Sequence, residues 1–211
     1  MLKLLRGAFI AAALTTGLSA MLAIAVSTGS SAAASDQEIA LVLRAGGLVI
    51  VLRRGATFPD QADTDPLNFD NIAAQRNLND KGNALRQVGV PVGKVYTSKY
   101  NRGYETAVPA GFKNIEKTAD LTEGGLVVSP NENNRRAEAF RVLLATLPQA
   151  GTDTVLVTHY PNIIAALGKD WFDVKEGEAS IFRPENGSYK LLARIQMDEW
   201  PRIAAAASAQ R

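Results

Sequence analysis

The sequence predicts an α/β fold in which helices cover a mostly parallel sheet. Three observations carry this. Leu48-Val49-Ile50-Val51-Leu52 and Thr154-Val155-Leu156-Val157-Thr158 are unbroken runs rich in β-branched residues, the pattern of strands buried on both faces. Helical segments alternate with such runs, which points to a layered sandwich. The 211 residues, 46% hydrophobic and 21% charged, suit one globular domain with a sizeable core.

The first 34 residues stand apart. Lys3 and Arg6 are followed by an apolar, uncharged run over 7–27 and by the small residues Ser30-Ser31-Ala32-Ala33-Ala34. This order is that of a secretory signal peptide cleaved before Ser35. An uncleaved N-terminal anchor is the alternative, because the run approaches the ~20 residues that span a bilayer. Export implies a periplasmic or secreted protein, with membrane contact only if the leader is kept. Removing 1–34 takes away two basic residues and no acidic ones, which leaves 21 of each. The net charge of +2 therefore belongs to the leader and gives no reason to expect nucleic acid as a partner. There are no cysteines, so thiolate metal sites and disulfides are excluded.

Along residues 35–202, the expected domain, 36–45 reads as a helix ended by Gly46-Gly47. The strand at 48–52 follows, then a polar loop over 56–75 containing Pro59 and Pro66. A helix is expected from Asp80 to Val88 with Asn79 as N-cap. A short strand at 93–97 precedes a helical stretch at 100–112, and 113–130 is ambiguous. Residues 131–146 read as an amphipathic helix with Ala139, Phe140, Val142, Leu143 and Leu144 on its apolar side. The strand at 154–158 ends at His159, and Pro161 suits the first turn of a helix running through Leu167. Strands at 178–183 and 188–195 join through Pro184-Glu185-Asn186-Gly187 as a hairpin turn. Residues 203–211 are expected to be a disordered, frayed tail.

Parallel sheets bind ligands beyond the carboxyl ends of their strands. One strand runs into Arg53-Arg54-Gly55, another into His159, and Ser98-Lys99-Tyr100-Asn101-Arg102 follows a third at the start of a helix. Three arginines and a histidine are thus candidates for one anionic ligand, since a guanidinium matches two phosphate oxygens at once. A lone arginine after a strand is more often a surface ion-pair partner, and a lone histidine is as often structural. His159 is the only histidine, so no histidine-rich metal site exists.

Five motifs, in order over about residues 38–200, resemble the histidine phosphatase (phosphoglycerate mutase-like) superfamily. Leu52-Arg53-Arg54-Gly55-Ala56-Thr57 resembles its L-R-H-G-x-T strand end. Gln75-Arg76-Asn77-Leu78-Asn79 with Gly82 resembles its Q-R-x-L helix start. Val95-Tyr96-Thr97-Ser98 with Arg102 and Thr106-Ala107 resembles its S-x-x-x-R-x-x-x-T-A motif. Val155-Leu156-Val157-Thr158-His159 resembles the strand of its second histidine. Glu176-Gly177-Glu178-Ala179 with Phe182-Arg183-Pro184 resembles the ending of exported bacterial members. The resemblance implies a three-layer sandwich, no cofactor and no metal. It implies that Arg53 and Arg102 hold a phosphoryl group and that His159 donates to a phosphoryl oxygen. A carboxylic acid would protonate the leaving oxygen; Glu178 and Glu123 are both candidates, with Glu178 preferred.

One position breaks the pattern. The nucleophilic histidine of the family falls at Arg54. A guanidinium stays protonated and has no lone pair to offer, so a phosphohistidine cannot form there. The resemblance then implies binding of, or weak action on, a phosphorylated small molecule or inorganic phosphate, with phosphomonoesterase activity weak or lost. The alternatives are a non-catalytic phospho-ligand module, or an exported structural domain with a vestigial pocket.

Overall fold

The computed structural model describes residues 35–55, 64–65, 68–71, 88–108, 112–124 and 128–209. The leader, the helix expected at 80–88 apart from Val88, and most of the loop at 56–75 lie outside the described residues.

Helix α1 (Asp36–Ala45) begins on a capping box. Ser35 accepts from the Glu38 amide, and the Glu38 carboxylate accepts from the Ser35 amide, so two orphan donors of the first turn are satisfied. The chain continues through strands β1 (Val49–Arg53) and β2 (Val92–Ser98), helix α2 (Asn101–Ala107) and strand β3 (Ile115–Thr118). Helix α3 (Pro130–Ala145), strand β4 (Asp153–Thr158) and helix α4 (Tyr160–Leu167) follow. Strands β5 (Ala179–Glu185) and β6 (Ser188–Ile195) precede helix α5 (Trp200–Ser208). The strands form one six-stranded sheet in the order β3-β2-β4-β1-β5-β6. The first four are mutually parallel and the last two are antiparallel additions.

The alternation of side chains along the central strands sorts the core into two halves. Ile50, Leu52, Val155 and Val157 pack with Ala40 and Leu43 of α1 and with Trp200, Ile203 and Ala207 of α5. Val49, Val51 and Leu156 pack with Phe140 and Leu144 of α3 and with Ile163 of α4. Burial on both faces of β1 and β4 is what their unbroken apolar runs predict, and the result is a three-layer α/β sandwich.

Four expectations need correcting. Residues 203–208 are not a frayed tail; they continue α5, with Ile203 and Ala207 buried. The alanine-rich segment is amphipathic enough to close over α1, where Arg44 donates to the Ala207 carbonyl. The hairpin turn is narrower than expected. Pro184 and Glu185 belong to β5, and only Asn186 and Gly187 turn, with φ of 49° and 79°; this left-handed pair matches the twist of a two-residue hairpin. Val142 of α3 is 58% exposed, while Ala137 takes a core place beside Phe140 and Leu144. Helix α2 ends at Ala107 rather than 112, with Val108 still helical in its dihedrals as the C-cap; Pro109 has no amide to carry the hydrogen-bond ladder further. Among its described residues, the ambiguous stretch at 113–130 contains the edge strand β3 and a 3-10 turn, Ala119–Leu121.

At the amino end of β4, Asp153 ties three segments together. Its Oδ1 accepts from the Leu48 amide at 2.8 Å, and its own amide donates to the Pro91 carbonyl at 2.8 Å. Burial pushes this carboxyl from its ordinary 3.8 up to about 6. Native protein therefore binds more protons than the unfolded chain between those values. The contribution is complete below about pH 4 and is lost as pH rises through about 6. Asp153→Asn removes the titration while keeping an acceptor for Leu48. Its urea midpoint should gain on the parent's as pH rises from 4 to 7; a difference that stays constant across that range would refute the assignment. Separately, Ile203→Ala should destabilise by about 2–5 kcal/mol in the same assay, as for a buried aliphatic truncation.

Candidate functional site

The carboxyl ends of the parallel strands carry two charged clusters side by side. The first is built on β1. Arg53 is the last residue of that strand and pairs in register with Thr158 of β4. Its side chain follows the parity of Val49 and Val51 towards the α3/α4 layer, where NH1 donates to the Val174 carbonyl and the guanidinium lies 5.1 Å from the Tyr160 ring centroid. Arg54 follows as the chain leaves the sheet, with its amide donating to the Thr158 carbonyl at 2.8 Å. Its buried guanidinium donates to the Gly55 carbonyl at 2.8 Å and to Glu176 Oε1 at 2.7 Å. The same Glu176 oxygen is 3.7 Å from Arg53 NH2.

A strap of chain before β5 holds Glu176 in that place. The Gly177 amide donates to the carbonyls of Arg53 and Arg54, and the Arg53 amide donates to the Glu178 carbonyl. Gly177 has φ +77°, a left-handed conformation that glycine adopts without strain.

The second cluster spans β2 and β4. Arg102, in the first turn of α2, is wholly buried. Its guanidinium carbon stacks 4.0 Å from the Tyr100 ring centroid, and NH2 donates to Glu123 Oε1. His159 directly follows β4 and is 1% exposed. Its Nδ1 lies 3.4 Å from the same Glu123 oxygen, and its ring meets Tyr100 edge-on at 5.6 Å. Glu123 thus joins the arginine of one strand end to the histidine of the next. Thr122 fixes its position: the hydroxyl accepts from the Lys99 amide at 2.8 Å and donates to the Thr118 carbonyl at 2.7 Å, while Asn162 and Arg136 donate to the Thr122 carbonyl.

Thr106 couples the two clusters. Its hydroxyl donates to the Arg102 carbonyl at 2.7 Å and accepts from the Gly55 amide at 3.1 Å. The structure thus places Arg53, Arg54, Arg102 and His159 on neighbouring strand ends, with Glu123 among them. Glu178 lies next to Arg53 through its backbone, but its side chain has other partners. That carboxylate is buried and accepts from Arg194, Gln196 and the Lys175 amide, which commits both oxygens to joining β5 and β6. Sequence reasoning missed the roles of Thr122, Asn162 and Glu176. Glu176 stood within a quoted motif, but nothing in its spacing showed that it would pair with position 54.

Among the described residues, the guanidiniums of Arg53, Arg54 and Arg102 gather around the carboxylates of Glu176 and Glu123. Fixed cations in a partly buried setting at the ends of strands are suited to an oxyanion, which gains charge-assisted hydrogen bonds from each fork.

No protein-family model and no curated relative matches the chain. Solved structures do. A candidate alpha-ribazole-5'-P phosphatase of Escherichia coli K-12 aligns with TM-score 0.52 at 16% identity, covering 72% of this chain and 98% of that one. A phosphoserine phosphatase of Entamoeba histolytica, solved in complex with 3-phosphoglyceric acid, aligns with TM-score 0.51 at 13% identity, covering 71% and 96%. At such identities the likeness speaks for architecture, and the six-stranded, mostly parallel sheet between two helical layers agrees with it: the chain has the phosphoglycerate mutase-like fold.

Proposed function

We propose that this chain binds phosphorylated small molecules, or inorganic phosphate, through Arg53, Arg54, Arg102 and His159, and that it hydrolyses phosphomonoesters weakly or not at all. The observation that carries this reading is the fully buried Arg102 sharing Glu123 with His159 at the carboxyl edge of the sheet. A buried guanidinium costs several kcal/mol to desolvate, and an arrangement that aims such a group at a strand end suits recognition of an anion.

The chemistry open to the site follows from its residues. Arg102 and Arg53 neutralise phosphoryl oxygens, and His159 donates to one of them as charge builds on the phosphorus centre. Of the two carboxylates considered as acid, Glu123 is the better placed, because it touches Arg102 and His159 while Glu178 is engaged by Arg194 and Gln196. Glu123 would deliver a proton to the leaving oxygen. What the site lacks is a nucleophile on β1. Arg54 cannot accept a phosphoryl group, so the covalent route that divides hydrolysis into two easier steps is closed.

Two experiments test this reading. Arg54→His places an imidazole where the motif expects one and removes the nearer of the two arginine partners of Glu176. Turnover of p-nitrophenyl phosphate should rise by about 10²-fold or more, with acid-labile phosphate appearing on the variant alone; a parent as fast as the variant would refute the argument. Glu176→Gln keeps the shape of the strap but removes the counter-charge on Arg53 and Arg54. Calorimetric titration should show inorganic phosphate binding up to about tenfold more tightly than to the parent, the scale of one partly exposed ion pair. Weaker binding would mean that the carboxylate supports the site rather than competing for it.

A further inference from the structure

The hairpin of β5 and β6 closes on Asn186-Gly187, the only Asn-Gly pair among the 211 residues. Both residues and the following Ser188 are exposed. Their φ angles are 49° and 79°, and the strand pairing next to them is that of Glu185 with Ser188. Among the described residues, no hydrogen bond holds the Asn186 side chain or the Gly187 amide. The turn lies at the end of β5 opposite the strap and the charged edge.

An asparagine carries its side-chain carbonyl carbon within reach of the next backbone nitrogen. Here that nitrogen belongs to Gly187. Once its proton passes to base, it attacks the Asn186 side-chain carbon, closes a five-membered succinimide and expels ammonia. Water then opens the ring at either carbonyl and leaves aspartate or isoaspartate. One water is consumed and one ammonia released, and no electrons change hands. A side chain on the attacking residue would crowd this step. Gly187 has none, and a Cβ built there would meet nothing within 4 Å, so the nitrogen is open to approach. The other described asparagines lack this combination. Those of α2, α3 and α4 have their backbone fixed by the helix. Asn68, Asn71 and Asn114 precede the bulky residues Phe69, Ile72 and Ile115.

We propose that Asn186 is a site of spontaneous deamidation, where ageing copies of the protein exchange an amide for aspartate or isoaspartate. The left-handed turn slows the reaction without preventing it. Ring closure requires the Gly187 nitrogen to face the side-chain carbon, so the turn must open first, and hairpin tips open at far lower cost than the core. Either product adds a negative charge beside Glu185. Isoaspartate also lengthens the backbone by one carbon, which no longer suits a two-residue connection. The hairpin then frays from its tip, and the protein loses stability.

The test follows parent and Asn186→Gly by peptide mapping during storage in mildly alkaline buffer, with parent in urea and in mildly acidic buffer alongside. A Gly-Gly turn keeps both left-handed positions and removes the reacting amide. In the folded parent, the peptide spanning Asn186 should gain the mass of an amide-to-acid exchange before the peptides of the other described asparagines. It should resolve into aspartate and isoaspartate forms. Conversion should be faster in urea, where the turn is open, and slower in acid, where the nitrogen keeps its proton. Aged parent should unfold at lower urea than fresh parent, while stored Asn186→Gly keeps its midpoint. An Asn186 that stays intact while other described asparagines convert overturns the proposal. So does a product that is aspartate alone, since direct hydrolysis of the side chain makes no isoaspartate. Conversion no faster in urea than in the folded protein refutes the control by the turn.

Discussion

The arrangement at the carboxyl edge depends on how one guanidinium is kept charged inside the protein. Arg102 is fully buried, and an unpaired charge there would be too costly to keep. Tyr100 stacks on one face of it and Glu123 supplies the compensating charge. Glu123 can do so only because the segment before it is pinned by Thr122, which in turn is gripped from β2, α3 and α4. Three layers of the sandwich thus meet at one ion pair, and His159 Nδ1 lies 3.4 Å from the same carboxylate.

The period of two along the strands explains why the charged groups fall into two clusters rather than one. Val49, Val51 and Arg53 share a face, so Arg53 reaches the α3/α4 layer and meets Tyr160 and Val174. Val155 and Val157 lie on the other face, and His159, two residues on, meets Tyr100 beside α2. Parallel pairing of β1 with β4 then brings the clusters within one strand spacing of each other. The strap through Gly177 adds the second carboxylate, so the edge holds alternating charges rather than an uncompensated block of positive charge.

Much of this was legible in the sequence, and the reasons are local. The β-branched runs of β1 and β4 announce strands buried on both faces, and residues that follow such strands stand at the ligand edge by topology. Arg53, Arg54, Arg102 and His159 could be named on that ground. The partner of each could not. As sequence, Glu178 is preferred over Glu123, and only the packing of β6 beside β5, with Arg194 and Gln196 facing Glu178, shows that its carboxylate is engaged there. The tail was misjudged for a related reason. Alanines carry little signal in isolation, and the burial of Ile203 and Ala207 depends on α1, more than 150 residues earlier.

Helices α1 and α5 lie side by side in the same direction. Asp36 pairs with Arg202 at 2.7 Å near their starts, and Arg44 bonds to the Ala207 carbonyl near their ends. The distance from the end of α5 back to the start of α1 is therefore about one ten-residue helix, on the order of 15 Å, which a linker of about five or six extended residues spans. The order in which the chain visits its elements is thus separable from their packing. A circular permutant joined across α5 and α1 and opened at Asn186-Gly187, an exposed two-residue turn, retains every strand pairing that builds the charged edge.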